Sequence, residues 1–172
     1  MSLRLFLAIP ITPEIAVRLS ALETDVPGAS WRQPEHFHLT LRFIGEVDET
    51  TARDIDFELG RIVAAPFEIG LRSTGSFGGK EPSALWAGVN APPDLARLAA
   101  SCETAVRNAG LAPESRKYLP HVTLAYLHGT LDDEVALYLQ DTADFRTETF
   151  WVDHFCMYSS RATKAGSHYV EE

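Results

Sequence analysis

The sequence predicts an α+β protein of two similar lobes related by an approximate two-fold axis. Three observations predict it. Strand-like and helix-like segments alternate along the chain. The order strand–helix–strand–helix–strand runs through twice, over about residues 3–80 and again over 83–160. A short pattern, His-x-Thr-x, opens a strand at corresponding places in the two copies. A chain of 172 residues suits one domain, 1–172, with a substantial core.

Taken in order, RLFLAI (4–9) is an apolar run of strand length. Thr12 and Pro13 suit the cap and first turn of a helix in which Ile15, Leu19 and Leu22 share a face. A strand follows over 37–44, and Asp48 then caps a helix carrying Ala52, Ile55, Leu59 and Ile62 on one side. PFEIGLRSTGSF (66–77) closes the first copy as a strand. The second copy opens with ALWAGVN (84–90) and continues with a helix buried through Leu95, Leu98, Cys102, Ala105 and Val106, stopped by Gly110. HVTLAYL (121–127), a short helix around Val135 and Leu139, and one long strand, ETFWVDHFCMYSS (148–160), complete it. Neither copy has a glycine-rich loop at its strand-to-helix turn, which argues against a dinucleotide-binding fold. The pairing order of the strands does not follow from the sequence.

The net charge of −9 argues against a protein that coats nucleic acid, because such binding neutralises many phosphates with Lys and Arg. A small basic pocket for one phosphate is compatible with it. Cys102 and Cys156 fit no C-x-x-C pattern and are expected to be free, buried thiols. The opening MSLRLFLAIPITPE has a short apolar run broken by Pro10, no small-x-small cleavage site, and Glu14 close behind. With no apolar segment near the roughly 18 residues of a membrane span, a cytoplasmic, soluble monomer is expected.

The chemistry lies in the two histidine strands. Regular alternation turns Leu39 and Leu41, with Phe37 and Phe43, to the core, and places His38, Thr40 and Arg42 on the opposite face. In the second copy, Val122 and Leu124 point inward while His121 and Thr123 share the other side. A two-fold would bring both faces to one cleft, giving two imidazoles and two hydroxyls around a centre. One neutral imidazole takes a proton from water, and the other, protonated, gives one to a leaving oxygen, both near neutral pH. The threonines donate hydrogen bonds to a phosphodiester's oxygens, and Arg42, Arg116 and Lys117 offer positive charge. One H-x-T in a strand is weak evidence; two at matched places of a repeat are hard to obtain by chance.

On RLFLAI, HFHLTLRFIGEV, SALWAGV, RKYLPHVTLAY and MYSSR, in that order, the chain resembles the two-histidine (2H) phosphoesterase superfamily. Within it the likeness is to the RNA 2′,3′-cyclic phosphodiesterases, also called 2′-5′ RNA ligases. The resemblance implies a bilobal fold of antiparallel sheet with helices outside, a central cleft, and no cofactor or metal. It implies hydrolysis of a terminal 2′,3′-cyclic phosphate to a 2′-phosphate, with RNA ends or cyclic nucleotides as substrates and 2′-5′ ligation as the reverse. His38 would be the proton donor, His121 the proton acceptor, and Thr40 and Thr123 the phosphate holders. One departure is Tyr126, where family members often carry arginine; Arg42 or Arg116 would then cover its role.

Two rivals follow from the same residues. His36 shares a strand face with His38 if the strand is regular, and with His121 the pair would make a three-histidine zinc site. A non-catalytic module that binds RNA ends or nucleotides would keep the cleft without turnover. His128, His154 and His168 show no paired spacing. Trp31 is a candidate for stacking on a base, whereas Trp86 and Trp151 fall in strand patterns and are assigned to the core. Phe77, with Gly75, Gly78 and Gly79, forms a glycine-rich loop bordering the cleft.

Overall fold

The computed structural model describes residues 2–163 and 166–171, with side chains described through Ser160. Strand β1 (Ser2–Pro10) carries the apolar run, and Leu5 through Ile9 are all buried. Helix α1 (Pro13–Ser20) begins as its sequence dictates: Thr12 Oγ1 accepts from the Ile15 N–H at 3.4 Å, and Pro13 fills the first turn. A short strand, β2 (Ala29–Trp31), and a 3₁₀ turn (Pro34–His36) precede β3 (His38–Asp48). Helix α2 (Glu49–Leu59) is capped by Asp48, whose Oδ1 accepts from the Thr51 N–H at 2.7 Å.

Strands β4 (Phe67–Phe77) and β5 (Ala84–Asn90) form a hairpin, and helix α3 (Pro93–Asn108) buries the predicted face. The chain leaves α3 through Gly110, at φ 99°, a conformation that glycine adopts without steric cost. Strand β6 (His121–Leu127) and helix α4 (Asp132–Asp141) follow. The expected long strand over 148–160 is instead two strands, β7 (Phe150–Val152) and β8 (Cys156–Thr163), and β9 (Gly166–Glu171) hairpins back on β8. The break has a topological reason: β7 pairs with β4 and β8 with β1, at opposite ends of the sheet.

The strands form one antiparallel sheet in the order β7-β4-β5-β6-β3-β1-β8-β9, with β2 added to β6. The order is symmetric about the junction of β3 and β6, since β3-β1-β8 on one side answers β6-β5-β4 on the other. The lobes are therefore not the two sequence halves. The last strand of each half, β4 or β8, crosses to the sheet of the other. One apolar core joins Leu7, Ile9, Leu39 and Leu41 of the sheet to Ile15, Ile55, Leu95 and Cys102 of the helices. Both cysteines are free and buried, and burial pushes the Cys102 thiol up to about 12. Among the described residues no helix is long and apolar enough to cross a membrane.

The lobes meet through Leu39 of β3 and Val122 of β6, both fully buried. Leu39→Ala is expected to lower stability by about 2–5 kcal/mol in urea unfolding, as cavity-forming core substitutions do. A loss under about 1 kcal/mol would show that this junction is not a well-packed point of the fold.

Candidate active site

The Leu39–Val122 pair is antiparallel, so the flanking residues of β3 and β6 alternate in step. That register sets His38 across from Thr123 and Thr40 across from His121, all on the face opposite the core. His38, Thr40 and Thr123 line a cleft of about 200 Å³. His121 does not line that cavity; its ring lies edge-on to Phe77 (4.9 Å between centroids) and 6.0 Å from Trp86. His38 is covered in the same manner by Phe6 at 4.7 Å and Tyr158 at 6.2 Å. Thr40's own backbone is held from below, since the Tyr118 hydroxyl donates to its carbonyl at 3.0 Å.

Both imidazoles are gripped identically. His38 Nδ1–H donates to the His36 carbonyl at 2.8 Å, and His121 Nδ1–H donates to the Leu119 carbonyl at 2.7 Å. A carbonyl only accepts, so Nδ1 carries a proton in each ring and Nε2 is left as the proton-exchanging atom. Burial lowers His38 from 6.5 to about 4; the His36 carbonyl opposes this, while the charges of Arg32, His36 and His121 add to it. Burial also lowers His121, again opposed by its carbonyl partner. Unliganded, the site therefore presents two neutral imidazoles at pH 7.

Beyond the threonines the alternation breaks, and it breaks identically in both lobes. On β3, Leu7 pairs with Arg42 and Ala8 with Thr40, so Leu41 is an extra, bulged residue. On β6, Leu85 pairs with Ala125 and Trp86 with Thr123, so Leu124 is the extra residue. A bulge re-aims every side chain after it. Arg42 is consequently turned out of the cleft. It is largely buried against α3 and the loop after it, with Nε 2.5 Å from Glu103 Oε2 and Nη2 donating to the Ala112 carbonyl at 2.9 Å. Phe43, expected in the core, is 40% exposed and lines the cleft, as does Tyr126.

Arg42 therefore does not supply the cleft's charge. Arg116 and Lys117 do not either: both are exposed on the loop before β6, and Arg116 is paired with Glu114 at 3.3 Å. The arginines that line the cleft are Arg4 of β1 and Arg32, which follows β2. Sequence reasoning missed both. Arg4 sits at the edge of an apolar run, and Arg32 follows a strand too short to show a pattern. Its only usable signal was position, a cation a few residues before the first motif.

His36 also departs from expectation. It ends the 3₁₀ turn rather than sharing a strand with His38, and it contributes its carbonyl. Among the described residues, no three His, Cys, Asp or Glu side chains are grouped to hold a metal ion, so the three-histidine zinc set is not assembled. Trp31 packs on Tyr138 at 5.8 Å against the core instead of facing a base. Neither remaining tryptophan belongs to the core: Trp86 stands beside His121, and Trp151, on the short strand β7, is 64% exposed. Gly75 is required by Trp86, whose ring would lie 2.3 Å from a Cβ there. Phe77 borders the site from within β4. His128 and His154 are exposed, the latter paired with Asp153 at 2.6 Å, and the side chain of His168 lies outside those described.

A pseudo-symmetric antiparallel sheet carrying two His-x-Thr pairs in one cleft defines the two-histidine phosphoesterase class. The chain belongs to the 2′-5′ RNA ligase superfamily, whose pattern matches residues 12–164. The RNA 2′,3′-cyclic phosphodiesterase of Aeropyrum pernix is 33% identical over 89% of this chain and 88% of its own. That of Thermotoga maritima is 31% identical over 97% and 91%. The crystal structure of E. coli LigT complexed with 3′-AMP has the same fold, with a TM-score of 0.81 at 22% identity over 100% of this chain and 96% of that one.

Two outcomes test the placement of these side chains. Arg42→Ala is expected to cost about 3 kcal/mol or more, because it strands a partly buried carboxylate, and to leave turnover within about twofold. A large loss of turnover at unchanged stability would return Arg42 to the cleft. For His38, the unfolded chain takes up its proton near 6.5 and the folded chain only near 4, so folding stability falls as pH drops through that window. Relative to His38→Gln, the wild type should therefore lose up to about 3 kcal/mol between pH 7 and pH 4. Parallel stability curves for the two proteins would contradict the depressed pKa.

Proposed function

We propose that this chain is an RNA 2′,3′-cyclic phosphodiesterase that opens a terminal 2′,3′-cyclic phosphate to a 2′-phosphate. The observation that carries the proposal is the matched pair of imidazoles, each fixed through Nδ1 with Nε2 left to exchange protons. The relatives of the same name over most of the chain support it.

In the reaction, His121 Nε2 takes a proton from water as its oxygen attacks phosphorus. The bond from phosphorus to the 3′ oxygen breaks, and His38 Nε2–H delivers the proton that oxygen needs to leave as a hydroxyl. The bond to the 2′ oxygen is kept. Thr40 and Thr123 donate to the non-bridging oxygens, where negative charge gathers. One proton enters at His121 and one leaves at His38, so exchange with solvent restores both rings.

In the empty cleft His38 is neutral at pH 7, which would leave it unable to act as the acid. The substrate corrects this. A phosphodiester brings a negative charge beside the ring and offsets the fields of Arg32 and the other histidines, raising the pKa of His38 in the complex. By microscopic reversibility the same groups serve the joining of a 2′-phosphate-derived cyclic end to a 5′-hydroxyl, giving a 2′-5′ linkage.

His38→Ala and His121→Ala are each expected to lower the release of 2′-phosphate from a 2′,3′-cyclic nucleotide by a hundredfold or more, the usual weight of one general acid or base. A folded variant that keeps near-wild-type turnover would refute the two-histidine mechanism, and a wild type that binds without turnover would mark a binding module instead. The pH–rate profile should be bell-shaped, with the kcat profile lying at higher pH than that of kcat/KM because bound phosphate raises the imidazoles. A flat profile from pH 4 to 8 would contradict paired acid–base catalysis.

A further inference from the structure

Phe43 and Tyr126 hold equivalent places, each the fifth residue after its histidine and each past a bulge that aims it into the cleft. Each carries a guanidinium on its ring: Arg4 Cζ lies 5.4 Å from the Phe43 centroid, and Arg32 Cζ lies 5.5 Å from the Tyr126 centroid. The two arginines come from unlike elements, β1 and the end of β2, so the match is one of position and not of sequence. An aromatic face restricts a long side chain without capping its N–H groups, which stay directed at the cleft for a bidentate contact.

The two cations differ in depth. The Arg32 main chain is tied down where its N–H donates to the Leu124 carbonyl at 2.8 Å, and Trp31 before it packs inward on Tyr138. Alternation then turns Arg32 toward the catalytic face, and its charge bears directly on His38. Arg4 lies toward the outer end of β1, opposite Glu46 and Ser160, and is not among the charges felt by His38. The cleft thus has one cation at the reacting centre and one beyond it, in a chain whose net charge is −9.

Resting on the phosphodiesterase reading, we propose that Arg32, laid on Tyr126, binds the reacting cyclic phosphate, and that Arg4, laid on Phe43, binds the next phosphate toward the 5′ end. The preferred substrate is then a ribonucleotide chain end with a second phosphate, not an isolated nucleoside cyclic phosphate.

The test compares kcat/KM for adenosine 2′,3′-cyclic phosphate, its 5′-phosphorylated form, and the dinucleotide ApA ending in a 2′,3′-cyclic phosphate. The wild type should favour the latter two by about tenfold or more, the weight of one charge-assisted contact. Arg4→Met should shrink that preference to within about twofold. Arg32→Met should lower kcat/KM for all three about tenfold or more, with Tyr126→Phe near wild type and Tyr126→Ala between. Equal rates on the three substrates, or a preference untouched by Arg4→Met, would overturn the two-phosphate cleft while leaving the phosphodiesterase function standing. Preference for the dinucleotide alone would mean that a base, not a phosphate, is read, and would overturn it too. No turnover of any of them would overturn the function and this proposal with it.

Discussion

The antiparallel contact between Leu39 and Val122 is the constraint on which the site depends. It joins two half-sheets at the start of two strands, where each strand has just emerged from the loop that supplies a carbonyl to its histidine. Because paired residues in an antiparallel ladder share a face, burying Leu39 and Val122 sends the residues on either side of them to the opposite face. Two histidines and two threonines thereby reach one centre with no dedicated loop to carry them. A shift of one residue in either strand would bury an imidazole and expose a leucine, so the core's demand for apolar side chains also enforces the catalytic geometry.

The electrostatics follow from the same arrangement. Both rings are buried among aromatic residues, Phe6 and Tyr158 around one and Phe77 and Trp86 around the other. Burial alone lowers both imidazoles, and each backbone carbonyl partly opposes it while fixing the tautomer. The result is a site that is neutral until an anion enters it. Only with a phosphodiester present do one protonated and one neutral imidazole become the favoured state, which couples acid–base readiness to substrate binding.

Much of this was legible in the sequence because it rests on local rules. The caps at Thr12 and Asp48, the stop at Gly110 and the alternation in HLTL and HVTL each mark an element without reference to the rest of the chain. The repeat of the motif identified His38 and His121 as a pair. What was not legible depends on partners distant in sequence. A bulge at Leu41 or Leu124 is defined by the neighbouring strand, so nothing in LRF or LAY announces that Arg42 turns away and Phe43 and Tyr126 turn in. The exchange of β4 and β8 between lobes, the break at Asp153–Phe155 and the pairing of β2 with β6 likewise arise from sheet order. Arg32 was missed for that reason: its placement comes from β6.

The central claim is that both imidazoles are held in one tautomer, with the proton on Nδ1 and a free Nε2 in the cleft. The ¹⁵N chemical shifts of the imidazole nitrogens in the unliganded protein at pH 7 test it most directly. The account predicts that His38 and His121 are both neutral and both protonated on Nδ1. An Nε2–H tautomer in either ring, or an imidazolium in the empty site at that pH, would contradict it.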